Sequence, residues 1–147
     1  VEVAYVGGLV RRNASEWQRV LARPDVGERP EPRTWSPLEY ACHVRDVFRI
    51  FLVRLERMLD EDGPHFANWD QDATAVDERY DLADPVSVAA ELTTAAAAVA
   101  DRFDRVRPEE HDRTGFRSDG ASFTVTTLAR YFVHDPVHHL RDVDPTR

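Results

Sequence analysis

Near the end of the chain, the stretch Tyr131-Phe132-Val133-His134-Asp135-Pro136-Val137-His138-His139-Leu140-Arg141-Asp142 carries two histidines at a spacing that suits a metal ion. If the segment is helical, His134 and His138 lie one turn apart on one face, and their imidazoles aim at a common point. Such a pair is half of a metal site. A third protein ligand would give a set of the kind that leaves a coordination position open to water or substrate. The same spacing also arises in two solvated histidines near a helix end, so the pair needs a scaffold that brings it a partner.

That scaffold reads as four helices. Val6, Leu9, Val10, Ala14, Trp17, Val20 and Leu21 recur at helical spacing and predict a first helix ending near Arg23-Pro24, its first turn weakened by Gly7-Gly8. From Pro24 to Trp35 three prolines and a glycine make a linker. The second helix opens on Ser36-Pro37-Leu38-Glu39, with Ser as the cap, Pro at the first helical position and Glu reaching back. Its apolar stripe runs through Leu38, Ala41, Val44, Phe48, Phe51, Leu55 and Met58 to about Asp60, where Asp62-Gly63-Pro64 stops it. Pro64 to Asp84 has no clear periodicity, and a connection of about 20 residues is long for a compact domain. The third helix starts at Asp84-Pro85 and ends at Pro108. After turn signals at Thr114-Gly115 and Ser118-Asp119-Gly120, Thr124 caps a last helix carrying Val125, Leu128, Phe132 and the histidines. Pro136 falls inside it, where it removes a backbone hydrogen bond and should bend the helix, on the face opposite His134 and His138.

With no convincing strand pattern, the expectation is an all-α, four-helix bundle filling residues 1–147 as one domain. The long connection between the second and third helices allows these two to run parallel, in an up-down-down-up order. The start of the second helix then neighbours the end of the last, and His43 faces His134 and His138. Around that trio, Asp46 lies one turn after His43 and could orient its ring, or could be a solvated carboxylate paired with Arg45 or Arg49. Trp69, Asp70 and Asp72 could line a pocket mouth, or Trp69 could plug the core end. Arg130 and Tyr131 could bind an anionic substrate or a thiol, or could pack. His139 points about 100° from His138 and reads as an outer or surface residue. His65 and His111 read as surface histidines, Glu39 as a cap, and Cys42 as a small core residue.

Composition narrows the function. The chain of 147 residues carries 19 basic and 27 acidic side chains, a net charge of -8, which opposes the counterion release that drives nucleic-acid binding. No apolar run approaches the roughly 18–20 residues of a membrane span. A single cysteine excludes an internal disulfide and a Cys-based zinc site, and a reducing cytoplasm is the expected compartment. All 19 basic residues are arginine, as GC-rich coding favours.

The stretch Trp35-Ser36-Pro37-Leu38-Glu39-Tyr40-Ala41-Cys42-His43-Val44-Arg45-Asp46-Val47, together with His134-Asp135-Pro136-Val137-His138-His139, resembles the DinB-like superfamily over nearly the whole chain. The resemblance implies an up-down-down-up four-helix bundle whose metal is held by one histidine of the second helix and a His-x-x-x-His pair of the last, here His43, His134 and His138. The superfamily includes mycothiol-dependent maleylpyruvate isomerases and bacillithiol S-transferases. Phe66-Ala67-Asn68-Trp69-Asp70-Gln71-Asp72-Ala73 is similar to its actinobacterial branch. The isomerases place a Glu first in the last-helix pair, where this chain has His134. The resemblance implies a metal-dependent thiol S-transferase with Zn²⁺, or else Ni²⁺, Mn²⁺ or Fe²⁺, and mycothiol as cosubstrate beside an electrophilic small molecule. The alternatives are a metal-dependent hydrolase and a non-catalytic metal-binding stress protein or dimerising module, with a homodimer as its assembly. No catalytic side chain is singled out.

Overall fold

The computed structural model describes residues 2–144. Four long helices form its body: α1 (Val3–Leu21), α2 (Pro37–Asp60), α4 (Pro85–Asp104) and α5 (Val125–Val143). A short helix α3 (Gln71–Asp77) lies in the connection between α2 and α4. The apolar stripes read from the sequence form one buried cluster in which Trp17, Phe48, Leu55, Leu92, Phe103, Leu128 and Phe132 are fully enclosed. Phe132 sits at its centre, stacked on Phe103 and Phe51 with ring centroids 5.7 and 5.1 Å apart. Among the described residues no helix is long and apolar enough to cross a membrane.

The expected absence of strands is corrected. Strands β1 (His65–Phe66), β2 (Thr114–Arg117) and β3 (Ser122–Thr124) form a small sheet in that order, with β1 parallel to β2 and β2 antiparallel to β3. Two- to four-residue strands are too short to show alternation in sequence. The sheet joins the two irregular connections: Ser118 N–H donates to Phe66 O at 2.9 Å, and Arg113 donates to the α2 end carbonyls of Met58 and Glu61 at 2.9 and 2.7 Å. Gly115 is required for this closeness, because a Cβ there would lie 2.7 Å from the Phe66 ring and 2.8 Å from Met58 Cγ. The connection expected to be irregular from 64 to 84 also holds α3, capped by Asp70, and a single 3-10 turn at Tyr80–Leu82.

Specific contacts place the helix ends. Arg45 of α2 reaches Glu91 of α4 at 3.2 Å, near the beginnings of both helices. Gln18 of α1 donates to Ala89 O of α4 at 3.0 Å, and Arg11 pairs with Asp101 at 2.6 Å. Asn13 Nδ2 donates to Pro136 O at 3.0 Å, and Arg23 to Val143 O at 2.9 Å, along α1 and α5. The first turns of α2 thereby meet the second half of α5.

The start of α2 is the best-secured helix end. Ser36 Oγ accepts from Glu39 N–H and Ser36 N–H donates to Glu39 Oε1, both at 3.1 Å, while Arg29 grips the same carboxylate through two N–H groups at 2.7 and 2.6 Å. Burial alone would push the Glu39 carboxyl up, but Arg29 and the Ser36 amide outweigh it and hold it below its ordinary value. A group with a lowered folded pKa contributes stability that is present above the unfolded value and lost as pH falls through the folded one. Glu39→Gln should therefore cost about 1–2 kcal/mol at neutral pH. Its unfolding midpoint should fall less than that of the unaltered chain on acidification below about pH 4. Parallel acid profiles in thermal melts would refute this. Gly115→Ala should cost about 1–3 kcal/mol through overpacking, read in the same melts.

Candidate metal centre

His43 is two turns into α2 and fully buried. Its ring lies face to face with Trp69, centroids 5.3 Å apart and planes 6° from parallel, with Trp35 at 5.5 Å. Nε2 is 3.1 Å from Asp135 Oδ2 of α5, while Nδ1 is buried with no hydrogen-bond partner among the described residues. The other oxygen of Asp135 lies 3.3 Å from His139 Nε2, and His139 Nδ1 lies 2.8 Å from Asp142 Oδ2. One ligand atom from each of His43, Asp135 and His139 falls within 4.8 Å of the others.

The electrostatics of this trio follow from the shared carboxylate. Burial would push the Asp135 carboxyl up, but hydrogen bonds from His139 and His43 hold it far below the usual carboxylate range. Burial would likewise lower His139, yet Asp135 and Asp142 raise it. Two imidazole nitrogens aimed at one half-buried, ionised carboxylate form a donor set suited to a divalent cation, of the three-protein-ligand kind that keeps a position open. Asp142 behind His139 is the outer carboxylate that commonly holds a ligand imidazole in orientation.

The structure thus gathers a different set from the expected His43, His134 and His138. His134 and His138 stack on each other at 5.8 Å, and both are exposed, His138 with 56% of its side chain accessible. The reason is helix phase. Phe132, Val133, Pro136 and Leu140 are among the buried residues of α5, and Asn13 holds the Pro136 carbonyl from α1. With that face inward, 134 and 138 turn outward and 135 and 139 turn toward α2. The missed signal was a second four-residue spacing one position later, Asp135-x-x-x-His139, which the attention to paired histidines passed over; His139 had been read as an outer residue.

A cavity of about 340 Å³ adjoins the trio, bordered by His43, Asp135, Trp69, Arg54, Arg117 and Tyr131 among others. His134 stands at its edge. Trp69 is a true wall of it, its Nε1–H donating to Thr74 Oγ1 at 2.8 Å. Tyr131 borders it too, and its hydroxyl accepts from Arg117 at 3.3 Å. Asp70 caps α3 instead, accepting from Ala73 N–H at 3.0 Å, and Arg130 is exposed outside the cavity. Asp46 serves α2 and its surroundings, pairing with Arg45 at 3.0 Å and accepting from the Tyr80 hydroxyl, with no hydrogen bond to His43 among those described. Burial pushes the Cys42 thiol up to about 12, so it stays protonated and unreactive. Arg54 and Arg117 were not singled out in sequence.

A bundle with two imidazoles and a carboxylate meeting at the side of a pocket is the class of protein that the fold and site define: a helical candidate metalloprotein. The chain belongs to the DinB superfamily, whose family model matches residues 9–143. Among solved structures it is similar to YfiT from Bacillus subtilis, described as "a probable metal-dependent hydrolase with an unusual four-helix bundle topology", with a TM-score of 0.85 and 15% identity over 97% of this chain and 84% of that one. At that identity the likeness is one of fold. No curated protein matches the chain.

The two candidate ligand sets separate experimentally. Protein loaded with Zn²⁺ and dialysed should retain about one ion per chain by elemental analysis. His43→Ala and His139→Ala should lose it, and His138→Ala should keep it. Metal lost from His138→Ala and kept in His139→Ala would restore the paired-histidine set.

Proposed function

We propose that this protein is a divalent-metal-dependent transferase that uses a small-molecule thiol, with mycothiol the expected cosubstrate and an electrophilic carbon compound its acceptor. The observation that carries the reading is Asp135 shared between His43 and His139 beside the pocket. With Asp135 as its first member, the α5 pair has the carboxylate-then-histidine order that the family resemblance associates with thiol-dependent isomerases. The helix-end contacts also support the up-down-down-up order, in which the start of α2 meets the second half of α5.

His43, Asp135 and His139 would hold the ion, and a bound divalent cation supplies positive charge that favours a thiolate over a thiol. One carboxylate among the ligands leaves that charge smaller than three neutral imidazoles would. A thiol, with a free pKa of about 8.5, needs far less help to ionise near neutrality than water at about 15.7, so this donor set suits a thiol well. Trp69 keeps the His43 ring in plane, Asp142 keeps the His139 ring in place, and Phe51 and Tyr131 give the pocket an apolar flank for the acceptor. The expected cytoplasmic setting is one in which such a thiol stays reduced. Hydrolysis is the second reading, favoured by the description of YfiT.

The test is thiol consumption. Zn²⁺-loaded protein with mycothiol and an alkylating fluorescent probe should consume thiol at least about tenfold faster than the metal-stripped protein, and Asp135→Ala should fall to the stripped rate. Equal rates for loaded and stripped protein would overturn the transferase reading. Metal-dependent ester or amide cleavage in the same preparation would put hydrolysis in its place.

A further inference from the structure

One charge in the pocket has no counter-ion among the described residues. Arg54 follows His43 by eleven positions on α2, about 16 Å along the helix and on nearly the same face. It is only 8% exposed and borders the cavity. Its guanidinium lies over the Phe51 and Phe66 rings at 5.3 and 5.6 Å, and Nη2 donates to Ala67 O at 3.2 Å. The other arginines of α2 are paired: Arg45 and Arg49 with Asp46 and Glu91, and Arg57 with Glu61. Among the described ion pairs none involves Arg54. The carboxylate beside the cavity that could have served it, Asp119, is gripped by Arg117 at 2.8 Å.

A buried guanidinium keeps its charge and offers five N–H donors in a planar fork that fits a carboxylate. Burying it without a partner is costly, and an apolar residue of similar length would pack between the same two rings without that cost. The cavity's other charged groups do not remove the need. Asp135 is committed to two histidines at the far end, and Arg117 with Asp119 is neutral as a pair. Burial lowers the Arg54 pKa and Arg117 nearby lowers it further, so nothing in that pair compensates the Arg54 charge.

We propose that Arg54 is the anion-binding residue of this pocket, and that the small molecule bound there carries a carboxylate at the end remote from His43, Asp135 and His139. Arg54 takes the part that sequence reading had offered to Arg130. The placing of the molecule's other end rests on the metal-centre reading; the carboxylate preference rests on Arg54 alone.

Straight-chain ω-mercaptocarboxylic acids and the ω-mercaptoalcohols of matching length serve as probes, titrated by calorimetry into the full chain with and without Zn²⁺. The unaltered protein should bind the acids about tenfold or more tightly than the alcohols, the gain expected of charge-assisted hydrogen bonds. Arg54→Met should abolish that preference and raise the unfolding midpoint, a pairing that a residue kept only for structure would not give. The same acid preference in both metal-free and Zn²⁺-treated protein, with no added affinity from zinc, would uphold Arg54 while removing the metal reading. In the unaltered chain the Arg54 Nε–H resonance should shift with the acids and not with the alcohols, a readout that needs no variant. Equal affinity for acid and alcohol, no binding of either, a preference that survives in Arg54→Met, or an unmoved Arg54 resonance would each overturn the proposal.

Discussion

Everything at the candidate centre depends on one carboxylate placed between two imidazoles. Asp135 is a side chain of α5, His43 comes from α2 and His139 from the next turn of α5, so the His43–Asp135 contact ties the two helices together while the His139–Asp135 pair braces the carboxylate within α5. In that half-buried position the ionised carboxylate is stabilised by the N–H groups its two neighbours offer, a part that a cation could also play. The arrangement that keeps Asp135 ionised is also the arrangement that brings nitrogen and oxygen donors close to a common point.

The remainder of the fold can be understood as what holds α2 and α5 at that setting. The capping network at Ser36, Glu39 and Arg29 fixes where α2 begins, and with it the height of His43. Asn13 fixes the rotation of α5 by holding the carbonyl of Pro136. The Phe132 stack fills the space between, and the small sheet brings Arg117 and Asp119 from a distant connection to the side of the cavity.

Much of this was legible in the sequence because the relevant physics is local. Ser36-Pro37-Leu38-Glu39 announces a helix start by side-chain chemistry within four residues, and the apolar stripes repeat at the helical period. That the start of α2, and with it His43, lies against the second half of α5 followed from an argument about connections. What sequence could not reveal was rotational phase. Moving from 134/138 to 135/139 is a turn of about 100°, and its direction is set by how the buried face of α5 packs on the other helices, with Asn13 holding the Pro136 carbonyl from a helix distant in sequence. Arg54 was hidden for a related reason: an arginine among four on one helix looks like the others until each carboxylate has been assigned. The sheet was hidden by brevity, since strands of two to four residues carry no pattern.

The face-to-face contact of Trp69 with His43 has a mechanical meaning. Nδ1 of His43 has no hydrogen bond among the described residues, so its ring is held at one edge by Asp135 through Nε2 and across its face by the indole. The indole is steadied by Thr74, and Thr74 by the turn that Asp70 begins. The orientation of a donor atom on α2 is thus steadied by the start of α3. The segment from 69 to 74 is a bearing surface for the His43 ring, seated by the hydrogen bonds that begin α3.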